Sequence, residues 1–273
     1  SGSILGKIKS DVASAFGINP EAVIVVGGGD TQLAIRSMEP SANDVVIVSG
    51  TTTPIIKIVD SYEKDAEQRT WTSRHIDADN FILEANAGVT GLNYQRLKEI
   101  FYPNEGYDVI EKELEDATYS QCVASLGSLI ADEEEPLTKG GFIFNAPVSH
   151  QLTRGNFVFA ILWDIACSIY ENYKFLSVVS PHQESYIWAC GGGVESRKLR
   201  QFIANLFGKS IKIRDTFRQA SVLGGVFLCN DALGVKNVSP ELLEEIHPQD
   251  HEEFEKLYQE WKNARKTFKE VVS

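Results

Sequence analysis

Gly191-Gly192-Gly193-Val194-Glu195-Ser196 and its earlier counterpart Gly27-Gly28-Gly29-Asp30-Thr31-Gln32 decide the fold class of this chain. Each triple glycine follows a short apolar, β-rich run, residues 186–190 and 22–26, and precedes a stretch with helical spacing. Ligands of open α/β sheets lie at the carboxyl ends of strands, where backbone without Cβ atoms allows close approach. Three adjacent glycines are costly to order, so a ligand-facing role explains Gly191–193 better than a plain turn does. Neither stretch is a GxGxxG fingerprint, and the sequence has no GxxxxGK[ST]. A nucleotide held here is therefore not held by a Rossmann or Walker loop.

The rest of the chain is consistent with that class. Runs 45–48 and 54–59 flank Gly50-Thr51-Thr52-Thr53 and predict a hairpin with a loose turn, and 71–76 and 81–85 predict further strands. From Gly91 the period changes, with Leu92, Leu97, Ile100 and Phe101 near helical spacing up to Pro103. Residues 108–117 continue in helical pattern, and 142–144 predict a buried strand. Residues 156–173 are the longest apolar helix, covered on most of its circumference. Next come a strand at 186–190, a helix at 195–207 stopped by Gly208, a strand at 211–213 and a small-residue helix at 220–233. Phe254, Leu257, Tyr258, Trp261 and Phe268 form one stripe of a final charged helix. Strands first, then strand–helix alternation, indicate an α/β domain: a mixed sheet with helices on its faces.

Composition narrows the function classes. With 273 residues, 43% hydrophobic and 23% charged, the chain is neither disordered nor fibrous. A net charge of −12 argues against nucleic acid and membrane surfaces as partners, though backbone N–H groups can still hold a small anion. Cys122, Cys167, Cys190 and Cys229 show no CxxC spacing, and the last three sit in apolar company, so buried thiols are expected rather than a zinc site or disulfides. His75, His150, His182, His247 and His251 are scattered without a metal motif, and GxSxG is absent. No signal peptide is visible, and the apolar stretch 157–169 is broken by Asp164 and too short to span a bilayer, so a cytoplasmic location is expected.

Each candidate motif has two readings. Asp30 is a natural helix N-cap, and equally a carboxylate cleared by three glycines to take a proton from a hydroxyl, as phosphoryl transfer to an alcohol requires. Gly50–Thr53 is an ordinary hairpin turn, or a turn whose N–H groups and hydroxyls donate to phosphate oxygens.

Taken in order, these pieces resemble the FGGY family of carbohydrate kinases over about residues 4–232. The glycine-rich strand end resembles the family's Gly-Asp element, which implies Asp30 as catalytic base, with Asp30 and Thr31 at the substrate. Ser49-Gly50-Thr51 resembles the turn that binds ATP phosphates, implying Gly50 and Thr51. Val89-Thr90-Gly91-Leu92-Asn93-Tyr94-Gln95 resembles a helix start along the nucleotide, implying Gly91 and Gln95. Gly191–193 through Ser196, with Arg200-Gln201, resembles the adenosine signature, implying Gly192, Gly193 and Ser196. The run from Gln219 to Gly224 resembles the following helix, with Gln219 where the family commonly has Glu.

The resemblance implies a ribonuclease H-like (actin-like ATPase) lobe that phosphorylates a sugar or polyol hydroxyl with ATP and Mg2+. It departs from the family in lacking an Asp-x-Gly-Thr phosphate loop, so the chain is read as the C-terminal half of a kinase, inactive by itself. Residues 1–43 are read as the tail of an N-terminal lobe and 44–273 as the ATP-binding domain. The expected partners are ATP or ADP, a small sugar or polyol and the N-terminal lobe; a homodimer stays open. No protein metal ligands are expected. The alternative is a non-catalytic actin-like module that binds nucleotide or senses sugar.

Overall fold

The computed structural model describes all 273 residues except Ala78, Asp116, Thr118, Asp250, His251 and Ser273. His251 and part of the helix expected at 108–117 therefore lie outside the described residues. The chain opens with β1 (Ile4–Lys7), α1 (Ser10–Phe16), β2 (Val23–Val25) and α2 (Asp30–Met38). Then come β3 (Val45–Val48), β4 (Thr52–Val59), β5 (Trp71–Arg74), β6 (Phe81–Val89), α3 (Gly91–Phe101) and α4 (Tyr107–Leu114). They are followed by β7 (Cys122–Ser125), β8 (Gly141–Phe144), α5 (Arg154–Val179), β9 (Tyr186–Cys190) and α6 (Arg197–Phe207). The last elements are β10 (Ser210–Arg214), α7 (Ala220–Leu233), β11 (Leu242–Ile246) and α8 (Glu252–Val272). Short 3-10 turns, Gly192–Glu195 and Phe217–Gln219, lead into α6 and α7.

Seven strands form the central sheet in the order β11-β10-β9-β3-β4-β6-β5. β3, β9 and β10 run parallel, and the remaining pairs are antiparallel. Both faces are covered, which is why β3, and β4 from Pro54 on apart from Lys57, read as apolar runs rather than alternating ones. Along β4, Ile55 and Val59 join the large core that includes α5, whereas Ile56 and Ile58 pack with Ile35 of α2. Helices on both faces of a mixed sheet are what strand–helix alternation predicts. The α2–α7 packing is close enough that a Cβ on Gly224 would lie 1.8 Å from the Leu33 carbonyl oxygen, so the small residue there is obligatory. That contact fixes the helix that begins at Asp30.

α5 is longer than its apolar run, because Thr153 and Asn156 build a capping box that starts it at Arg154. Within it Asp164 is buried, accepting hydrogen bonds from Trp261 Nε1 at 2.7 Å and the Leu126 backbone N–H at 3.2 Å. It thereby pins α8 and the end of β7 to α5. Burial pushes its carboxyl up to about 6, against an ordinary 3.8. The folded state thus holds this proton more tightly than the unfolded chain does. The group's contribution favours folding below about pH 4 and is lost as pH rises to 6, by roughly 3 kcal/mol. Urea melts of the wild type and Asp164→Asn between pH 4 and 7 should differ by this slope; parallel curves would show that Asp164 does not titrate.

Some expectations change. The strand at 142–144 is not buried: Ile143 and Phe144 are both exposed, because β7 and β8 form a separate two-stranded ribbon outside the central sheet. Cys167 and Cys190 are buried thiols as read, Cys122 is buried too, and Cys229, read as buried, is exposed on α7. The helix expected from residue 195 begins at Arg197, with a 3-10 turn before it. β1, α1, β7 and β11 carry too few periodic apolar residues to be legible in advance. Among the described residues no helix is long and apolar enough to cross a membrane.

Candidate functional site

Three segments meet at the carboxyl end of β3. The Ser49 N–H donates to the Cys190 carbonyl and the Gly193 N–H to the Ser49 carbonyl, both at 2.8 Å, clasping the β3 end to the glycine turn after β9. Gly191 has φ +95°, and a Cβ there would lie 2.3 Å from the Ser49 carbonyl oxygen; one on Gly193 would lie 2.1 Å from Ser49 Oγ. Gly192 differs, because a Cβ on it meets open space. The third segment is the start of α3, where the Thr90 and Leu92 N–H groups donate to the Thr51 carbonyl at 3.2 and 3.4 Å. A Cβ on Gly91 would lie 2.1 Å from the Gly50 carbonyl oxygen. Gly91 and Gly191 are therefore required by close backbone contacts and Gly193 by the Ser49 side chain, and Gly192 is the glycine whose missing side chain leaves room for something else.

The convergence encloses a cavity of about 530 Å³. Its walls contain Gly50, Thr51, Gly91, Gln95, Gly192, Gly193 and Ser196, the seven residues that the resemblance assigned to ATP. A second cavity, of about 330 Å³, shares Gly50, Thr51 and Gly192 with the first and extends to Asp30 and Thr31. All the sequence-derived site residues thus line one bipartite cleft.

Local roles differ from the simplest expectation. Gly29, not Asp30, occupies the N-cap position of α2, and Asp30 is the first helical residue. Its Oδ1 accepts the Thr31 N–H at 2.7 Å, while Oδ2 has no partner among the described residues. A carboxylate at a helix N-terminus is favoured by the macrodipole, so Asp30 satisfies the helix and still offers an oxygen to the cleft. Ser196 caps α6, its Oγ accepting the Leu199 N–H at 3.3 Å, and the Gly50 N–H is spent on the Thr52 carbonyl at 2.9 Å.

Other lining residues were not read from the sequence. Tyr94 and Tyr107 form a tilted pair with ring centroids 5.6 Å apart, and the Tyr94 hydroxyl is buried without a partner among the described residues. Burial raises its pKa, so it remains a phenol able to donate. Asp108 and Glu111 of α4 and Glu195 add carboxylates to the same wall. Tyr94 lay inside a quoted motif, but nothing local marks α4, whose sequence shows only an amphipathic helix.

This mixed sheet, with a cleft where β3, α3 and the turn after β9 converge, is the C-terminal lobe of an actin-like ATPase fold. The solved xylulose kinase of Rhodospirillum rubrum superposes with a TM-score of 0.75 at 17% identity, covering 99% of this chain and 57% of that one. Plasmodium falciparum glycerol kinase with ADP gives 0.77 at 15% identity, covering 97% and 55%. Residues 130–233 match the model of the FGGY family of carbohydrate kinases, C-terminal domain. The chain carries that FGGY-family domain. The Bacillus subtilis (strain 168) protein named "Putative sugar kinase YoaC" is 42% identical over 269 residues, covering 98% of this chain and 55% of that protein. The chain spans about half the length of the curated relatives it matches.

Proposed function

We propose that this chain supplies the ATP-binding part and the catalytic base of a cytoplasmic kinase that phosphorylates a sugar or polyol hydroxyl. One observation carries the reading: a cavity large enough for a nucleoside shares Gly50, Thr51 and Gly192 with an adjoining second cavity that Asp30 lines. Gly91, Gln95, Gly192, Gly193 and Ser196 seat the nucleoside, and Gly50 and Thr51 lie along the phosphates. Asp30 takes the proton of the acceptor hydroxyl through its free Oδ2 as the oxygen attacks the terminal phosphorus in line. Thr31 lies beside it at the acceptor.

Residues 1–43 belong in this reading with an N-terminal lobe that completes the acceptor site, and 44–273 form the ATP-binding domain. Magnesium would neutralise charge on the phosphates. The phosphates, with acidic groups of the N-terminal lobe, would hold the ion; Asp30 is the only carboxylate that lines the second cavity among the described residues. A purely nucleotide-binding module has no use for a carboxylate at the phosphate end of the cleft.

Titrating this chain with ATP and ADP is expected to give saturable binding of both, and no binding of either would overturn the reading. The chain alone is expected to transfer little or no phosphate to sugars. A screen of phosphorylated products with the complete protein identifies the acceptor.

A further inference from the structure

The cleft that is to receive a triphosphate is poor in positive charge. Asp108, Glu111 and Glu195 line the first cavity, and Asp30 lines the second. Arg218 is the single lysine or arginine in the walls of either cavity, among the described residues. It lies in the 3-10 turn Phe217–Gln219, where the Phe217 carbonyl accepts the Gly191 N–H at 2.8 Å. This bond holds the arginine's backbone against the glycine turn that separates the two cavities. Its Nε lies 3.2 Å from a carboxylate oxygen of Glu195, with the two side chains 65% and 50% exposed.

An ion pair that exposed contributes little to folding, so stability does not explain it. We propose that Arg218 is the phosphate-binding cation of this lobe, paired with Glu195 and transferred to the terminal phosphates when a nucleoside triphosphate enters. The proposal rests on the ATP reading above. Glu195 lines the nucleoside cavity and Arg218 the Asp30 cavity, so the pair bridges the junction that the phosphate chain must cross. A guanidinium presents a planar fork that matches two phosphate oxygens, which a surface carboxylate in water does not outcompete. Glu195 left behind stays hydrated, so the exchange costs little. The transferred charge would also offset repulsion between the phosphates and Asp30.

The test titrates ATP and adenosine into the wild-type chain and into Arg218→Gln, Arg218→Lys and Glu195→Gln, by calorimetry at low and moderate salt. Arg218→Gln is expected to bind ATP about tenfold to a hundredfold more weakly with adenosine affinity unchanged, the usual loss for a hydrogen bond to a charged group. Arg218→Lys should fall between it and the wild type. Glu195→Gln should bind ATP a few-fold more tightly, because the arginine no longer has to leave a partner. Wild-type ATP affinity in Arg218→Gln overturns the proposal, as does an equal loss of ATP and adenosine binding, which would mean a change of cavity shape. Binding of neither ATP nor adenosine by the wild type overturns the ATP reading itself, and this proposal with it.

Discussion

Asp30→Asn in the complete enzyme is expected to lower turnover about 10²- to 10⁴-fold, the span associated with losing a positioned general base. The substitution keeps the shape of the side chain and an oxygen able to accept the Thr31 N–H now bonded at 2.7 Å, so the start of α2 should survive. It removes the ability to take a proton. ATP affinity should therefore stay close to wild type while turnover collapses, because the nucleoside cavity does not include Asp30. Steady-state kinetics with a paired nucleotide titration checks both halves. Unchanged turnover would remove Asp30 from the chemistry; parallel loss of turnover and ATP affinity would make it a structural residue of the cleft.

The second large effect comes from comparing two adjacent glycines. A Cβ at Gly192 meets nothing of the protein within 4 Å, so Gly192→Val should fold with a melting temperature near the wild-type value. Its methyl groups would stand in the neck shared by the two cavities. Overpacking costs of about 1–3 kcal/mol there translate into roughly 5- to 150-fold weaker ATP binding. Valine at Gly193 would instead be driven into Ser49, where a Cβ already comes within 2.1 Å of Oγ. That variant should lose stability by about 1–3 kcal/mol, or several degrees in melting temperature, before any ligand is added. Thermal melts and ATP titrations of the pair separate the two roles. Early melting of Gly192→Val would show that the neck is filled by the protein, and the bipartite cleft would have to be given up.

Much of this was legible because local chemistry announces itself. Glycine runs after β-rich segments mark turns that carry ligands, and the hairpin around Gly50 and the start of α3 at Gly91 follow from turn residues and a change of period. α7 matches its expected span of 220–233, because its small apolar residues end at Gly234, a left-handed C-cap. Other features have no local signal. Phe142–Phe144 looks buried by composition, yet whether a strand is covered depends on where its ribbon lies. Tyr107, Asp108 and Glu111 reach the nucleoside-sized cavity only because α4 is carried there by packing around α5 and α6.

The α/β class, the two glycine turns and the order of motifs that leads to an FGGY-type lobe are written in the order of residues, since backbone periodicity and steric freedom act over a few positions. Which glycine in Gly191–193 leaves space, and which ones the protein needs for itself, emerges from the folded arrangement. It alone showed that Asp30 follows rather than occupies the cap of its helix, and that Arg218 and Glu195 bridge the cleft. Those facts depend on distances between segments far apart in the chain, and such distances are set by the summed packing of the whole core rather than by any one stretch of residues.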